Sequence, residues 1–266
     1  MKIEILCGGG SPVGVHLSDI HGKNGRIGVG GAELGLLTLC EGWSKAGHEV
    51  ILYNDPLRQD GVFEQRAEAA FNHADKRDVV IFFREPSPKA VNVTATKVFF
   101  SCDQYTVGDF KHFAQFVDKV VTISPYHSAY FQRVYGIENS IPIDLPVRTW
   151  EYEQQVEKVP NRLIFTSVPD RGLGVVAETF PKIKEMIPDA SLVITSDYRL
   201  WGAGSPMNQQ HVQAFMRLEG AEFLGAVPRE RLVQEQLKAQ IHYYPFNGET
   251  EELFCISAAE SQVAGV

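Results

Sequence analysis

The sequence predicts two α/β domains, each a doubly wound parallel β-sheet covered by helices, with the second domain incomplete at its carboxyl end. Short apolar, β-rich runs alternate along the chain with segments of helical periodicity, which is the pattern of parallel sheets. The pattern breaks over residues 141–160, where three prolines bracket a polar segment. The length of 266 residues also exceeds what one hydrophobic core usually serves. We therefore predict an amino-terminal domain at 1–145, a linker at 146–160 and a carboxyl-terminal domain at 161–266.

The first domain is predicted to alternate strands with two long helices. Leu36, Leu39 and Cys40 share one face of a helix over 32–46, and Gly47 is of the residue type that commonly ends a helix. A second helix is predicted from Pro125 to Gly136. The predicted strands of this domain are Ile3–Cys7, Glu49–Tyr53, Val79–Phe83, Lys97–Phe100 and Lys119–Ile123.

The second domain repeats the alternation. A last helix is predicted to begin near Glu252, and the sequence ends at Val266 in what reads as the approach to another buried strand. We therefore expect further strands of this domain to be missing from the chain. The other predicted elements are strands Leu163–Ser167, Ser191–Thr195, Ala221–Leu224 and Ile241–Tyr244 and helices Leu173–Met186, Asn208–Leu218 and Arg229–Ala239.

Charge and cysteine usage exclude several classes of protein. The chain has 33 acidic and 25 basic residues, a formal net charge of −8, which argues against a nucleic-acid binder and more weakly against docking on an anionic membrane. It has no apolar run of the ~20 residues that a membrane span requires. The four cysteines are scattered without a C-x-x-C pair, so neither zinc nor a disulfide framework is expected. We predict a cytoplasmic protein without metal or cofactor.

Small and charged residues follow the predicted strands. Ligands of open parallel sheets bind beyond the carboxyl ends of the strands, so these residues predict a ligand cleft between the two domains. They are Gly8–Gly10, Asn54–Asp55, Arg84–Glu85, Cys102–Asp103 and Ser124 in the first domain, and Ser167–Arg171, Ser196–Asp197, Gly225 and Gly248–Glu252 in the second.

Glycines at 28, 30 and 31 precede the first helix. Glycines there let a diphosphate or carboxylate approach free backbone N–H groups at the helix start. A dinucleotide fingerprint is an alternative, although Glu33 takes the place of its third glycine and about twenty residues separate the first strand from these glycines. Asp55, at the end of the second strand, keeps that alternative open. A glycine loop that binds no ligand is a further interpretation.

Two glutamates near the end of the chain, Glu252 and Glu260, are separated by seven residues and followed by Ser-Gln-Val-Ala-Gly. This segment closely resembles the E-x7-E motif of the retaining GT-B glycosyltransferases of family 4, which have two Rossmann-like domains. The resemblance implies that Glu252 lies by the donor sugar and diphosphate. It also implies that Glu260 accepts hydrogen bonds from the ribose hydroxyls.

Other segments resemble the same family in the same order, and together they cover almost the whole chain. The resemblance implies that Gly30 and Gly31 belong to a glycine loop, that Arg171 holds the donor diphosphate, and that the backbone at Gly225 faces the nucleotide base. The resembling segments are Gly30–Glu33, Ala46–Val50, Thr122–Ser124, Ile141–Asp144, Ser167–Leu173 and Glu222–Gly225.

The sequence departs from the family in two places. Many relatives pair two basic residues in the diphosphate loop, whereas Arg171 has no basic partner beside it. Many also carry a His, or a His-Asp pair, where this chain has Cys102 and Asp103. Asp103 takes over as the candidate polar contact or base.

The resemblance implies a retaining, metal-independent hexosyltransferase of glycan biosynthesis. It would move a sugar from a UDP- or GDP-sugar to a glycan, lipid-linked or small-molecule acceptor. The implied catalytic residues are Glu252, Asp103 and Arg171, and the implied donor-binding residues are Gly30, Gly31, Arg171, Gly225, Glu252 and Glu260. Peripheral membrane contact has no support in the sequence and stays open.

Two other classes of function remain as alternatives. The departures at Cys102 and beside Arg171 motivate a non-catalytic nucleotide-sugar-binding module of the same fold. The glycines before the first helix motivate an NAD-dependent Rossmann enzyme. Each glutamate also has a plain interpretation, Glu252 as a first-turn acid that suits the helix dipole and Glu260 as a solvated helix residue.

Overall fold

The computed structural model describes residues 1–7, 14–21, 28–58, 61–103, 110–201, 213, 215, 217–246 and 251–266. The chain divides into two compact units. The first unit comprises Met1–Leu17, Ala32–Pro146 and Glu251–Phe254, and the second comprises Ser18–Gly31, Val147–Thr250 and Cys255–Val266. The domain bounds set from the sequence at 1–145, 146–160 and 161–266 stay a prediction.

The first unit is built on a parallel sheet. Within the described residues it has seven strands in the order β3-β2-β1-β4-β5-β6-β7. Ile3 of the central strand β1 pairs with Val50 of β2 on one side and Val79 of β4 on the other. These central strands are nearly continuous apolar runs because helices cover both faces of such a sheet. The strands are β1 Lys2–Cys7, β2 Glu49–Tyr53, β3 Glu64–Arg66, β4 Val79–Phe83, β5 Thr96–Phe100, β6 Lys119–Thr122 and β7 Ser140–Pro142.

Three helices in the described part of this unit are α1 Gly31–Lys45, α2 Phe110–Phe113 and α3 Pro125–Tyr135. Local sequence fixes both ends of α3. The Ser124 hydroxyl accepts a hydrogen bond from the His127 N–H at 3.0 Å, and Pro125 occupies the first helical position, where its missing N–H costs nothing. Gly136 ends the helix at a φ of 68°, a left-handed conformation that glycine adopts readily.

The second unit is built on a smaller parallel sheet. In the described residues its four strands have the order β10-β9-β8-β11. Its core contains Phe165, Phe180 and Phe215, each at most 1% exposed. The strands are β8 Arg162–Phe165, β9 Ser191–Ile194, β10 Ala221–Phe223 and β11 Ile241–His242, and the helices are α4 Leu173–Met186, α5 Arg229–Lys238 and α6 Ile256–Val263.

The two parallel sheets confirm the predicted α/β fold class. Every strand predicted from the sequence is present, with ends that differ by no more than a few residues. Two short edge strands, β3 and β7, were not predicted. The helix expected near Glu252 begins instead at Ile256, so that expectation is corrected. Most of the predicted helix 208–218 lies outside the described residues, as do Gly8–Gly10 and Gly248.

No helix in the portion of the chain that the structure describes combines the length and the apolar character needed to cross a membrane.

Candidate functional site

Arg84 joins two acidic side chains at the carboxyl edge of the first sheet. Arg84 directly follows β4, and Asp103 follows the neighbouring strand β5. The Arg84 Nε donates to Asp103 Oδ2 at 2.6 Å and its Nη2 donates to Oδ1 at 2.9 Å. Its Nη1 donates to Glu33 Oε1 of α1 at 3.2 Å. The two-pronged contact fixes the plane of the Asp103 carboxylate as well as its position.

The backbone of Arg84 is strained. Its φ is +66°, in the left-handed region that non-glycine residues occupy mostly at turns and functional sites. The Arg84 N–H donates to the Phe100 carbonyl at 2.8 Å, which ties this turn to the adjacent strand. Burial lowers the pKa of Arg84, but Asp103 and Glu33 more than offset burial, so the pKa is raised. The cluster therefore contains a permanent cation held by two carboxyl groups.

His127 and Cys102 flank Asp103. His127 is fully buried, and its Nδ1 accepts a hydrogen bond from the Ile123 N–H at 3.3 Å. Burial lowers the pKa of His127 to about 4 against the opposing effect of Asp103, so the imidazole is neutral at pH 7. Desolvation, with the charge of Asp103, raises the pKa of the Cys102 thiol. Neither group is charged at neutral pH, and the carboxyl oxygens of Asp103 are the hydrogen-bond acceptors beside them.

Glu252 lies in the first unit, on the segment Glu251–Phe254. It is half-buried and precedes α6 rather than forming part of it. Its neighbour Glu251 accepts a hydrogen bond from the Tyr126 hydroxyl of α3 and lies 3.9 Å from Arg133 Nη2. The interpretation of Glu252 as a first-turn acid of a helix is therefore wrong.

Arg171 lies in the second unit, on the loop between β8 and α4. Its guanidinium carbon is 5.2 Å from the centre of the Phe246 ring, within the range of a cation–π interaction. The next residue, Gly172, has a φ of +107° and packs against Pro245 and Phe246. Close packing of these two segments therefore brings the Phe246 ring next to the Arg171 side chain.

Gly225 follows β10 and packs against a buried carboxylate. Its φ is +68°, and a Cβ there would lie 3.5 Å from Asp197 Oδ2. Asp197 is 2% exposed and accepts hydrogen bonds from the Ala226 N–H at 3.2 Å and the Arg199 N–H at 2.8 Å. Burial raises the pKa of Asp197, but Arg199 and these N–H groups outweigh it and the pKa is lowered. The turn at Gly225 is thus organised around an ionised aspartate.

Glu260 lies on α6 in the second unit and is 3% exposed. Its Oε1 is 2.7 Å from Nη1 of Arg229, on α5. Burial raises the pKa of Glu260 above its ordinary value, although Arg229 opposes that rise. Glu260 is therefore a buried member of an ion pair, which corrects the interpretation of it as a solvated helix residue.

Gly28, Gly30 and Gly31 belong to the second unit, which includes Ser18–Gly31. Gly28 has a φ of +143°, and a Cβ there would be 3.4 Å from Leu200 Cδ2. A Cβ on Gly31 would be 2.9 Å from Ile256 Cγ2, at the start of α6. Glycine at these two positions permits close packing on apolar side chains of this unit.

The predicted site residues thus fall into two sets. Asp103 and Glu252 belong to the first unit, whereas Gly30, Gly31, Arg171, Gly225 and Glu260 belong to the second. Sequence reasoning placed Arg84 after a strand at the edge of the sheet without giving it a role, and it missed Phe246 and Arg229. Nothing local marks Arg229 as the partner of Glu260.

Comparison with known proteins gives a match at the level of structure. No protein-family model matches the chain, and no curated protein matches it in sequence. A glycosyltransferase from Rickettsia africae ESF-5 matches with a TM-score of 0.69 at 13% identity, over 99% of this chain and 77% of that one. The lipopolysaccharide outer core galactosyltransferase WaaB, in its apo form, matches with a TM-score of 0.62 at 13% identity, over 100% and 79%.

A third structure, a mutant O-GlcNAc transferase from Thermobaculum terrenum, matches with a TM-score of 0.51 at 13% identity, over 100% of this chain and 51% of that one. Identities this low carry information about fold alone. The chain has the two-sheet, Rossmann-like GT-B fold of these glycosyltransferases.

Proposed function

We propose that this protein is a glycosyltransferase that moves a sugar from a UDP- or GDP-sugar to a glycan, lipid-linked or small-molecule acceptor. The observation that carries the proposal is the Glu252–Glu260 motif in a chain with this fold. The structural neighbours include a galactosyltransferase and an O-GlcNAc transferase, names that describe transfer of sugars by those proteins. They support the same general chemistry here.

The donor side of the proposal uses the second unit. Arg171 offsets the charge of the departing diphosphate, Gly225 presents backbone to the base, and Glu260 accepts hydrogen bonds from the ribose. In this proposal the diphosphate lies by Gly30 and Gly31 at the start of α1, where backbone N–H groups favour an anion. Breaking the bond to the diphosphate makes the sugar oxocarbenium-like and the leaving group negative. Stabilising both charges lowers the barrier.

The sugar and acceptor side of the proposal uses Glu252 and Asp103. The Glu252 carboxylate offsets positive charge at the sugar and binds its hydroxyls. Asp103 accepts a hydrogen bond from the acceptor hydroxyl, with Arg84 holding its carboxylate in one orientation. We propose that the reaction retains the anomeric configuration and needs no metal, since Arg171 and backbone N–H groups take the place of a cation at the diphosphate.

Release of nucleoside diphosphate from a panel of UDP- and GDP-sugars tests the proposal. We expect slow hydrolysis of one donor, and a loss of at least about 100-fold in Glu252→Gln while the nucleotide still binds. The matched control is Glu251→Gln, which changes the adjacent glutamate and should retain most of the activity. The anomeric configuration of the fresh product, read by NMR, tests retention. A chain that binds and consumes none of these donors would contradict the proposal.

A non-catalytic nucleotide-sugar-binding module is the second candidate function. The observation that favours it is the engagement of both Asp103 carboxylate oxygens by Arg84, next to Cys102, which stands where many enzymes of the resembling family carry a histidine. Binding of a nucleotide sugar with no turnover, in the wild-type chain and with every acceptor tested, would favour this candidate.

A further inference from the structure

The ion pair between Arg229 and Glu260 is part of a larger buried polar cluster in the second unit, here called the Arg229 cluster. Arg229 is 6% exposed and Glu260 is 3% exposed. The cluster also includes side chains from α5 and from the turn Thr149–Tyr152. Its members are Arg148, Glu151, Tyr152, Arg229, Gln236 and Glu260.

The guanidinium of Arg229 is held from the side opposite Glu260. Its Nε donates to Glu151 Oε2 at 2.6 Å, and its Nη2 donates to the Tyr152 hydroxyl at 3.2 Å. Glu151 is in turn held by Arg148 Nε, which donates to Glu151 Oε1 at 2.6 Å. With two of its nitrogens fixed in this way, the planar guanidinium directs Nη1 at the Glu260 carboxylate.

The groups that face Glu260 also determine its charge. On α5 these are Arg229 and Gln236, and on the turn they are Glu151 and Tyr152. Arg229 is the cation among them. A carboxyl group buried this deeply takes up a proton unless an opposite charge lies close to it. Arg229 supplies that charge at 2.7 Å.

The ionisation of Glu260 matters for the role proposed above. An ionised carboxylate accepts hydrogen bonds at both oxygens, and therefore suits two neighbouring ribose hydroxyls. A protonated carboxyl group carries a donor on one oxygen and loses part of this capacity. Hydrogen bonds to a charged acceptor are also the stronger ones.

We infer that Arg229 is a positioning residue for nucleotide binding: it favours the ionised form of Glu260 and aims the carboxylate so that it distinguishes a ribose from a 2′-deoxyribose. The inference rests on the proposed function, because it assigns Arg229 a role through Glu260 at the donor site. It predicts that selectivity for ribose over 2′-deoxyribose depends on Arg229, a side chain outside the Glu252–Glu260 motif.

The test measures affinity by calorimetry for UDP and 2′-deoxy-UDP, and for GDP and 2′-deoxy-GDP, between pH 5.5 and pH 8.5. In the wild type we expect the ribose form to bind about 10-fold more tightly at pH 8.5, with a ratio that falls less toward pH 5.5 than the ratio of Arg229→Met. In Arg229→Met we expect a ratio near one at low pH that rises with pH, because Glu260 then loses its proton only at higher pH. Arg229→Lys restores the cation and should recover most of the wild-type ratio at pH 7.

Arg162→Met is the matched control, since Arg162 pairs with the buried Glu235 in the same unit. It removes one of the two arginines that pair with Glu235, the other being Arg231 at 2.7 Å, and should lower the melting temperature without changing the ribose ratio. If Arg229→Met does not fold, Arg229→Gln, which also removes the cation, takes its place with the same expected result. Glu151→Gln should not increase the pH dependence of the ratio, because Arg229 stays beside Glu260.

The outcomes separate the two ideas. A wild-type chain that binds neither UDP nor GDP would overturn the proposed function and this inference with it. If the wild type prefers ribose and Arg229→Met has the wild-type ratio at every pH, the inference alone is overturned.

Discussion

The carbonyl oxygen of Pro245 occupies the space that a Cβ atom would need on Gly172, and the Pro245 carbonyl carbon lies 2.9 Å from that position. The contact is between two backbone segments, so neither can move aside as a flexible side chain would. Gly172 also has a φ of +107°, which glycine adopts without strain. Because Arg171 precedes Gly172, this contact fixes the backbone beside Arg171, whose guanidinium lies over the Phe246 ring.

The first prediction concerns Gly172→Ala. The substitution combines a clash with Pro245 and a strained φ, so we expect it to reduce the free energy of unfolding by about 2–4 kcal/mol. Urea titration measures the loss. Gly136→Ala is the control, because Gly136 has a φ of +68° with no atom near the added Cβ, and strain alone should cost about 1 kcal/mol. Equal losses in the two variants would contradict the role of the Pro245 contact.

The second prediction concerns Phe246, whose ring lies under the Arg171 guanidinium. Phe246→Leu keeps an apolar side chain but removes the cation–π contact, which is worth about 0.5–2 kcal/mol. If that contact orients Arg171 toward the diphosphate, UDP or GDP affinity falls by roughly 2- to 30-fold while affinity for the nucleoside is unchanged. Phe246→Tyr should behave as the wild type. The idea fails if nucleoside and nucleoside diphosphate weaken together.

The third prediction concerns the pair Arg84 and Asp103. A double-mutant cycle with Arg84→Met and Asp103→Asn should give a coupling free energy of about 1–2 kcal/mol, since the contact is bidentate and partly buried. The control cycle is Lys89→Met with Glu68→Gln, a pair of similar exposure joined at 2.6 Å by a lysine, for which we expect less than about 1 kcal/mol. Chemical denaturation of the four variants in each cycle supplies the values, and a coupling for Arg84 no larger than that for Lys89 would refute the prediction.

The fourth prediction is a pH dependence of stability. Burial lowers the pKa of His127 to about 4, whereas an unfolded histidine has a pKa near 6.5. Between pH 4 and pH 6.5 the unfolded chain binds more protons than the folded chain. The neutral His127 therefore contributes about 3 kcal/mol to the free energy of unfolding above pH 6.5, and this contribution is lost as the pH falls toward 4. Urea titrations at several pH values measure the slope.

A matched pair of variants identifies His127 as the source of that slope. His127→Asn retains an acceptor for the Ile123 N–H but does not titrate, so stability should change less between pH 6.5 and pH 4 than in the wild type. His112→Asn makes the same substitution at an exposed histidine. A wild-type slope that survives in His127→Asn would show that another group causes it.

Much of the fold was predictable because the central strands are continuous apolar runs. Strands β2 and β4 have the predicted bounds, Glu49–Tyr53 and Val79–Phe83. Strands β3 and β7 were missed because each is a three-residue edge strand. A strand this short shows no hydrophobic period and is defined only by pairing with its neighbour.

The candidate site was predictable only in part. Arg84 and Asp103 could each be placed after a strand, but their pairing depends on β4 and β5 being neighbours in the sheet. The start of α6 could not be read locally, since the preceding Glu251 is held by Tyr126, far away in the sequence. The roles assigned to Glu252, Asp103, Arg171, Gly225 and Glu260 stay predictions until they are measured.

The most direct test of the donor site is a thermal-shift panel of UDP, GDP, ADP, NAD and their common sugar conjugates. A ligand at about 100 times its Kd adds about 2.7 kcal/mol to the stability of the folded chain. We predict that UDP or GDP and its sugar conjugates raise the melting temperature, and that the shift disappears in Arg171→Ala and in Glu260→Ala. A shift with NAD alone, or a nucleoside diphosphate shift that persists in both variants, would contradict the donor site described here.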